Sequence, residues 1–253
     1  MGLEQITNIA AASPIARHSW TGRGVAPAGY IKGMAVVYAR VYCKLKAGDP
    51  AAIEMAKANT GNTDRDALAW YEPQFQALGM DNSVAGPDTL RHLFTLMIGM
   101  GMRESSGQYC VGRDTTATNM SADTAEAGLF QTSFNARHAS PLMSQLFTSY
   151  ANSTDFLDIF QQGVRCSPAD LENFGDGDGQ EFQRLSKACP AFAAEFTAVG
   201  LRNIRKHWGT INSHASEVLP DCDGMLLAVQ NEVEASSLCS LVMPQVHAGG
   251  GSQ

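Results

Sequence analysis

The sequence has no long apolar run and no signal-like start. None of its apolar stretches reaches the roughly 18 residues that a membrane-spanning helix needs. The segment before Trp20 has neither the basic first part nor the apolar middle part of a secretory signal peptide. We therefore expect no membrane span and no classical signal peptide in this chain.

Positive charge is also scarce. The 253 residues include 18 Lys and Arg against 25 Asp and Glu, which gives a formal net charge of −7. Nonspecific affinity for nucleic acid comes mainly from Lys and Arg that contact phosphates. The balance therefore argues against nucleic acid as a partner. It also predicts long-range repulsion from any polyanionic surface at low ionic strength.

Cysteine patterns typical of metal sites are absent. The cysteines are Cys43, Cys110, Cys166, Cys189, Cys222 and Cys239. No two of them form a C-x-x-C pair, and their wide spacing is unlike a structural zinc site. The glycine-rich segment 175–179 lacks the other oxygen ligands of a calcium loop. We expect no metal and no cofactor. An even number of cysteines allows disulfides in an oxidising space, with the connectivity open.

Helical periodicity dominates the chain. The segments with apolar residues at spacings of three and four, or with helix start and stop signals, are 30–45, a helix opened by Pro50, 66–78 with a break at Pro73, 88–104, 140–150, 154–162, 180–188, 191–207 and 224–236. Strand patterns are scarce, and we expect any β element to be very small and to lie in residues 105–130. The predicted fold class is therefore mainly α.

Breaker residues suggest how the chain is organised. The residues up to about Pro27 are rich in Ala, Gly and Ser and are predicted to form a loop, and a second breaker cluster ends at Gly86-Pro87. We predict an N-terminal helical segment, residues 1–86, that caps the core, and a main region, residues 87–247. Residues 248–253 are predicted to be a flexible tail.

The most informative segment is the helix predicted to begin near Asp88. Its apolar stripe consists of Leu90, Leu93, Phe94, Met97, Ile98 and Gly101. At about 100° per residue, Glu104 lies within roughly 40° of the direction of Leu90, on the buried side. Ser105-Ser106-Gly107 then ends the helix. Glu104 is thus expected where the core opens into a loop.

A carboxyl in such a place has a chemical use. Desolvation raises its pKa because it penalises the charged form. A carboxylic acid that is still protonated near neutral pH can donate its proton to the leaving oxygen of a glycosidic bond. The alternative interpretation is that Glu104 pairs with Arg103 or a more distant arginine, or points into solvent.

Two short motifs resemble those of enzymes that use this chemistry. Glu-Ser-Ser-Gly at residues 104–107, followed after a loop by Gly-Leu-Phe-Gln at residues 128–131, resembles the paired motifs of goose-type lysozymes and soluble lytic transglycosylases. The resemblance covers about residues 93–135. It implies a lysozyme-like helical fold with a substrate cleft, and cleavage of the β-1,4 bond between N-acetylmuramic acid and N-acetylglucosamine in peptidoglycan, with Glu104 as the general acid.

The second motif is implied to line the sugar cleft. The corresponding residues are Gly128, Leu129, Phe130 and Gln131, with Phe130 where the family has Met. The amide of Gln131 suits an N-acetyl or hydroxyl group, and its alternative role is to close a backbone turn. Other polar side chains that could reach a sugar, or could equally be packing or turn residues, are Tyr109, Asn135, His138 and Tyr150.

An inverting glycosidase also needs a second carboxylate to activate water. Asp123 precedes Gly128 by a distance close to that of a water-positioning acid in goose-type enzymes, so it is the first candidate. Glu126 is the second and Asp114 the third. Each also has a structural interpretation, as a helix cap, a solvated charge or a turn residue respectively.

The sequence departs from the goose-type pattern two residues after Gln131. The family's other water-positioning acid would stand there, and the chain has Ser133. Lytic transglycosylases need no second carboxylate, but their later Ala-Tyr-Asn-Ala-Gly-type motif is not visible either. Hydrolysis and transglycosylation therefore both stay open.

Three other functions compete with a peptidoglycan glycosidase. The same helix-borne Glu would serve a chitin or chitosan hydrolase. A thiol hydrolase would use Cys110 as nucleophile and His138 as base. A noncatalytic domain would only bind glycan or a partner protein.

The biological setting is a separate hypothesis. Acidic charge, the missing signal and the Gly-rich end suit an antibacterial effector, a toxin delivered to the periplasm by a dedicated secretion machine. Its expected partners are peptidoglycan strands and a cognate inhibitor (immunity) protein. This hypothesis predicts killing only when the chain is placed in the periplasm.

Overall fold

A computed structural model describes residues 2–116, 121–236 and 238–239. Regular structure in this part of the chain is almost entirely helical, which confirms the mainly α fold class. The α-helices are α1 (Gly2–Ala12), α2 (Ala28–Lys46), α3 (Pro50–Met55), α4 (Ala67–Trp70), α5 (Glu72–Ala77), α6 (Pro87–Ser105), α7 (Pro141–Ser149), α8 (Leu157–Phe160), α9 (Pro168–Leu171), α10 (Gly177–Ala188), α11 (Pro190–Asn203), α12 (Gly209–Asn212) and α13 (Pro220–Ala235). Short 3₁₀ helices cover Pro14–Arg17, Ala122–Thr124, Phe134–Ala139 and Arg205–His207.

Most predicted helices are present, with shifted ends. The predicted break is present near Pro73: α4 ends at Trp70, and Pro73 lies in the first turn of α5. Pro190 opens α11, because proline is tolerated in a first helical turn whose N–H groups have no partner within the helix. The helix predicted over 191–207 ends at Asn203 and is followed by a 3₁₀ turn.

The prediction of a loop up to Pro27 was wrong for its first part. Residues Gly2–Ala12 form α1, which buries Ile6 and Ala10 against α2. These two apolar residues are four apart and lie on one helix face. The breakers that suggested a loop begin only at Ser13-Pro14, where α1 has ended.

The small β element lies elsewhere than expected. Strands β1 (Ser19–Trp20) and β2 (Gly24–Val25) pair antiparallel around a turn that contains Gly22. Within residues 105–130, the described residues contribute only one isolated bridge, from Ala127 to Thr132. The glycines of residues 22 and 24 adopt positive φ angles, which favours a tight hairpin there.

Two long helices, α2 and α6, form the centre of the fold. They pack against each other, and α1, α8, α11 and α13 surround α2. One hydrophobic cluster includes residues on both sides of residue 86, such as Tyr38 of α2 and Phe94 of α6, whose rings are 5.4 Å apart. The division of the chain at residue 86 stays a prediction about its organisation, and the tail 248–253 lies outside the described residues.

Two disulfides cross-link the chain. Cys43 at the end of α2 is joined to Cys239, and Cys110 in the loop after α6 is joined to Cys166. Cys189 and Cys222 are free and buried. A disulfide typically stabilises a fold by about 2–4 kcal/mol, because it restricts the unfolded chain.

Within the described residues, no helix is long and apolar enough to cross a membrane.

Candidate active site

Glu104 lies at the last turn of α6, where the core meets a loop. The helix is buried from Thr89 to Met102, while Glu104 is partly exposed. Ser106 ends the helix in the left-handed conformation, and the Gly107 N–H donates to the carbonyl of Gly101 at 3.2 Å. Gly107 itself has φ +72°, and a Cβ there would lie 2.8 Å from the Tyr30 ring. The Glu-Ser-Ser-Gly motif thus makes a tight helix end that holds Glu104 at the rim of the core.

The carboxylate of Glu104 has a hydroxyl as its hydrogen-bond partner. Thr210 of α12 donates to Glu104 Oε1. Arg103, the neighbour that could have neutralised Glu104, donates instead to the carbonyls of Thr21 and Ala215, both at 2.8 Å, and lies 3.6 Å from Glu217. The alternative interpretation, a Glu104–Arg103 ion pair, does not describe this structure.

Burial raises the pKa of Glu104 to about 6. The Thr210 hydrogen bond opposes this shift, because it favours the charged form. The negative charge of Glu126 raises the pKa further, and the positive charge of Arg23 lowers it. The outcome is a carboxyl that holds its proton into the range in which a general acid is useful.

Glu126 is the acid whose charge acts on Glu104. It is partly buried, and both burial and the nearby charge of Asp114 raise its pKa. Asp114 accepts hydrogen bonds from the backbone N–H and the hydroxyl of Thr116, at 2.8 and 2.7 Å. Glu104, Glu126 and Asp114 therefore form a chain of electrostatically linked carboxyl groups.

Asp123, the first candidate from the sequence, belongs to another group of residues. Its carboxylate lies 3.8 Å from Arg137, and its side chain is 49% exposed. It lies against the start of α10, since a Cβ on Gly179 would come within 2.6 Å of Asp123 Oδ1. The charges that shift the pKa of Glu104 are those of Glu126 and Arg23.

The Gly-Leu-Phe-Gln segment is a tight turn with a buried centre. Gly128 has φ +76° and donates its N–H to the carbonyl of Val111 at 2.8 Å. The amide of Gln131 donates to the carbonyls of Gly128 and Val111, at 3.0 and 3.3 Å. Leu129 and Phe130 are 0% and 1% exposed. Gln131 thus closes a backbone turn, and the two apolar residues pack in the core.

The structure does not bring the remaining candidates together at one place. Ser133 is buried, and its hydroxyl donates to Asn135 Oδ1 at 2.7 Å. Tyr109 lines a separate cavity of about 340 Å³ together with Lys187 and Arg184. Tyr150 is buried and donates to Glu195.

Thr210 contacts the candidate acid but was not predicted from the sequence. It is far from Glu104 in the chain, and no motif marks it. Its helix is held by aromatic residues: Trp70 Nε1 donates to the carbonyl of Ile211 at 3.0 Å, and the Tyr71 hydroxyl lies 3.4 Å from the carbonyl of Thr210. Trp208 just before it donates to the carbonyl of Phe130 at 3.0 Å. The Trp208 contact links the Thr210 segment to the second motif.

The structure also bears on the thiol hydrolase. Cys110 is bonded to Cys166, so it has no thiolate to act as a nucleophile in this state. Among the described residues, no group of three or more His, Cys, Asp or Glu side chains is placed to hold a metal ion.

Comparisons with models of protein families, with curated proteins and with solved structures found no match to this chain.

Proposed function

We propose that the protein is a glycosidase that cleaves peptidoglycan, with Glu104 as the general acid. The observation that carries the proposal is the state of Glu104: a partly buried carboxyl at a helix end, bonded to a neutral hydroxyl, with a pKa of about 6. Breaking a glycosidic bond requires an acid that protonates the leaving oxygen. The Glu-Ser-Ser-Gly and Gly-Leu-Phe-Gln motifs support peptidoglycan as the substrate.

Glu126 is the best-supported partner acid in this proposal. The charge of Glu126 raises the pKa of Glu104, whereas Asp123 lies beside Arg137. In a hydrolase, Glu126 would take a proton from the attacking water. In a lytic transglycosylase, groups of the substrate replace that water, and Glu126 would act only through its charge. The released products distinguish the two reactions.

The disulfides support the compartment that this function requires. Such bonds persist in oxidising spaces, which include the bacterial periplasm and the cell exterior. We propose that the protein acts there on peptidoglycan strands, as an antibacterial effector that a cognate inhibitor protein would neutralise in the producing cell.

The test compares Glu104→Gln with the unaltered chain on purified peptidoglycan. Loss of a general acid slows a reaction by about 10²–10⁴-fold, so the variant should release that much less soluble material. Mass spectrometry of the fragments gives the reaction: reducing ends indicate hydrolysis, and anhydro-muramyl ends indicate transglycosylation. Glu4→Gln is the matched control, because Glu4 is exposed on α1.

Two results would contradict the proposal. Equal release by Glu104→Gln and the unaltered chain would remove Glu104 from the chemistry. No release by the folded, unaltered chain would remove peptidoglycan as the substrate. Activity on chitin but not on peptidoglycan would mean that Glu104 serves as the acid in the cleavage of a neutral glycan.

A further inference from the structure

A polar pocket lies next to the helix end that carries Glu104. Its volume is about 400 Å³, and its lining includes Arg23, Val25, Pro27, Ser106, Gln108 and Arg165. Ser106 is two residues after Glu104, and the charge of Arg23 acts on the Glu104 carboxyl. The pocket therefore adjoins the proposed catalytic acid.

Two exposed arginines, Arg23 and Arg165, line this pocket. Neither Arg23 nor Arg165 forms an ion pair with a carboxylate of the described residues, and no acidic side chain is among the lining residues. Arg23 donates to the carbonyl of Arg103, which orients its guanidinium without neutralising it. On a chain with a net charge of −7, two neighbouring arginines that form no ion pair with a described carboxylate give this pocket a local positive charge.

Both walls of the pocket are anchored to the segment that carries Glu104. Arg23 lies in the turn of the β1–β2 hairpin, where its N–H donates to the carbonyl of Trp20 at 3.0 Å. Arg165 directly precedes Cys166, whose disulfide partner Cys110 lies in the loop after α6. Arg23 is thus tied to the segment that carries Glu104 by its hydrogen bond to the Arg103 carbonyl, and Arg165 is tied to it by the neighbouring disulfide.

We propose that this pocket binds a carboxylate of the glycan beside the cleaved bond. Arginine recognises carboxylates through paired, charge-assisted hydrogen bonds. The inference rests on the proposed function and names its substrate class: an acid-bearing muramyl glycan in preference to neutral chitin. The carboxylate comes either from the lactyl ether of N-acetylmuramic acid or from the peptide attached to it. Local capture of this kind also explains how an acidic protein can hold an anionic polymer.

The test measures binding to the inactive Glu104→Gln chain by titration calorimetry. The probes are the disaccharide of N-acetylglucosamine and N-acetylmuramic acid, with a free lactyl carboxylate, and chitobiose, which lacks the acid. We expect tighter binding of the muramyl disaccharide. Arg165→Ala should weaken that binding by about tenfold or more, as is usual for a charge-assisted hydrogen bond, and should leave chitobiose binding unchanged. Arg165 is chosen because Arg23 also acts on Glu104, and Arg17→Ala, an exposed arginine outside the pocket, is the control.

A third probe identifies the source of the carboxylate. In the muramyl dipeptide disaccharide the lactyl group is amidated, and the acid lies on the peptide. Sensitivity to Arg165→Ala with this probe alone assigns the pocket to the peptide acid, and sensitivity with the bare disaccharide alone assigns it to the lactyl group. Equal binding of all probes, binding of none, or no effect of Arg165→Ala would overturn the inference. Because the assay needs no cleavage, its failure is distinct from a failure of the glycosidase proposal.

Discussion

Two glutamates on different helices of this fold have opposite surroundings. Glu195 of α11 is fully buried and lies 2.6 Å from Lys44 Nζ, while the Tyr150 hydroxyl donates to it at 2.7 Å. Nearby, Arg40 pairs with Asp155 at 2.8 Å. Glu104 of α6 is less buried, yet it has a neutral hydroxyl as its hydrogen-bond partner and a like charge nearby.

The contrast shows what a buried carboxyl needs in order to be structural. A close cation and a hydrogen bond compensate the charge of a buried carboxylate. Removing either partner of such a pair strongly destabilises the fold, because the other charge is left buried and uncompensated. A carboxyl that is desolvated without such a cation holds its proton instead. The surroundings of Glu195 therefore suit a structural carboxyl, and those of Glu104 suit the general acid that we propose.

The same exchange, Glu to Gln, should have opposite effects on stability at the two sites. At Glu195 it leaves the Lys44 charge buried and uncompensated, so we expect a loss of about 3–5 kcal/mol in the free energy of unfolding. At Glu104 it removes a charge that the fold penalises, and we expect a gain on the order of 1 kcal/mol at pH 8. Urea denaturation measures both.

The pH dependence sharpens this prediction. The folded pKa of Glu104, about 6, exceeds its ordinary value of 4.5, so the folded chain keeps the proton longer than the unfolded chain. Stability is therefore lost as pH rises through the window between these two values, and the gain from Glu104→Gln should vanish at pH 4. Adding Lys44→Met to Glu195→Gln should recover part of the loss. A destabilised Glu104→Gln at pH 8 would contradict the comparison.

Glu126→Gln should change the titration of Glu104 and the rate of cleavage. Removing the negative charge lowers the pKa of Glu104, because that charge favours the protonated form. If Glu126 activates water, cleavage should fall by about 10²-fold or more. The pKa is followed by carbon NMR of labelled glutamate, with the signal of Glu104 assigned from Glu104→Gln. Asp123→Asn is the matched control and should leave the pKa of Glu104 unchanged. If Asp123→Asn alone shifted this pKa, Asp123 would again be the first candidate for the second carboxylate, as its spacing in the sequence suggested.

Thr210→Val should have the smallest effect. It removes the hydrogen bond that favours the charged form of Glu104, so the pKa of Glu104 should rise. The alkaline limb of the pH–rate profile should move to higher pH, and Thr210→Ser should restore it because the hydroxyl is kept. An unchanged profile in the folded valine variant would mean that Thr210 only packs against Glu104.

Some residues of the candidate site could be predicted from the sequence and others could not, for identifiable reasons. Glu104 was predicted because the apolar period of α6 and the Ser-Ser-Gly stop are local signals. Leu129 and Phe130 were expected to line the cleft, and both are buried. A residue's place in a sequence motif does not determine which way its side chain points. The choice of Asp123 over Glu126 relied on spacing alone, across a loop whose course spacing does not define.

The sequence by itself determined the mainly α fold class, the course of α6 and the position of Glu104 at its rim, because helix periodicity and helix stops act over a few neighbouring residues. Only the tertiary structure decided which groups surround that carboxyl. Thr210 donates a hydrogen bond to it, and the charges of Glu126 and Arg23 act on it from two other segments. The Cys110–Cys166 bond ties Arg165 to the loop after α6. Charges and hydrogen bonds act through space, so the chemistry of Glu104 depends on packing that no local pattern encodes.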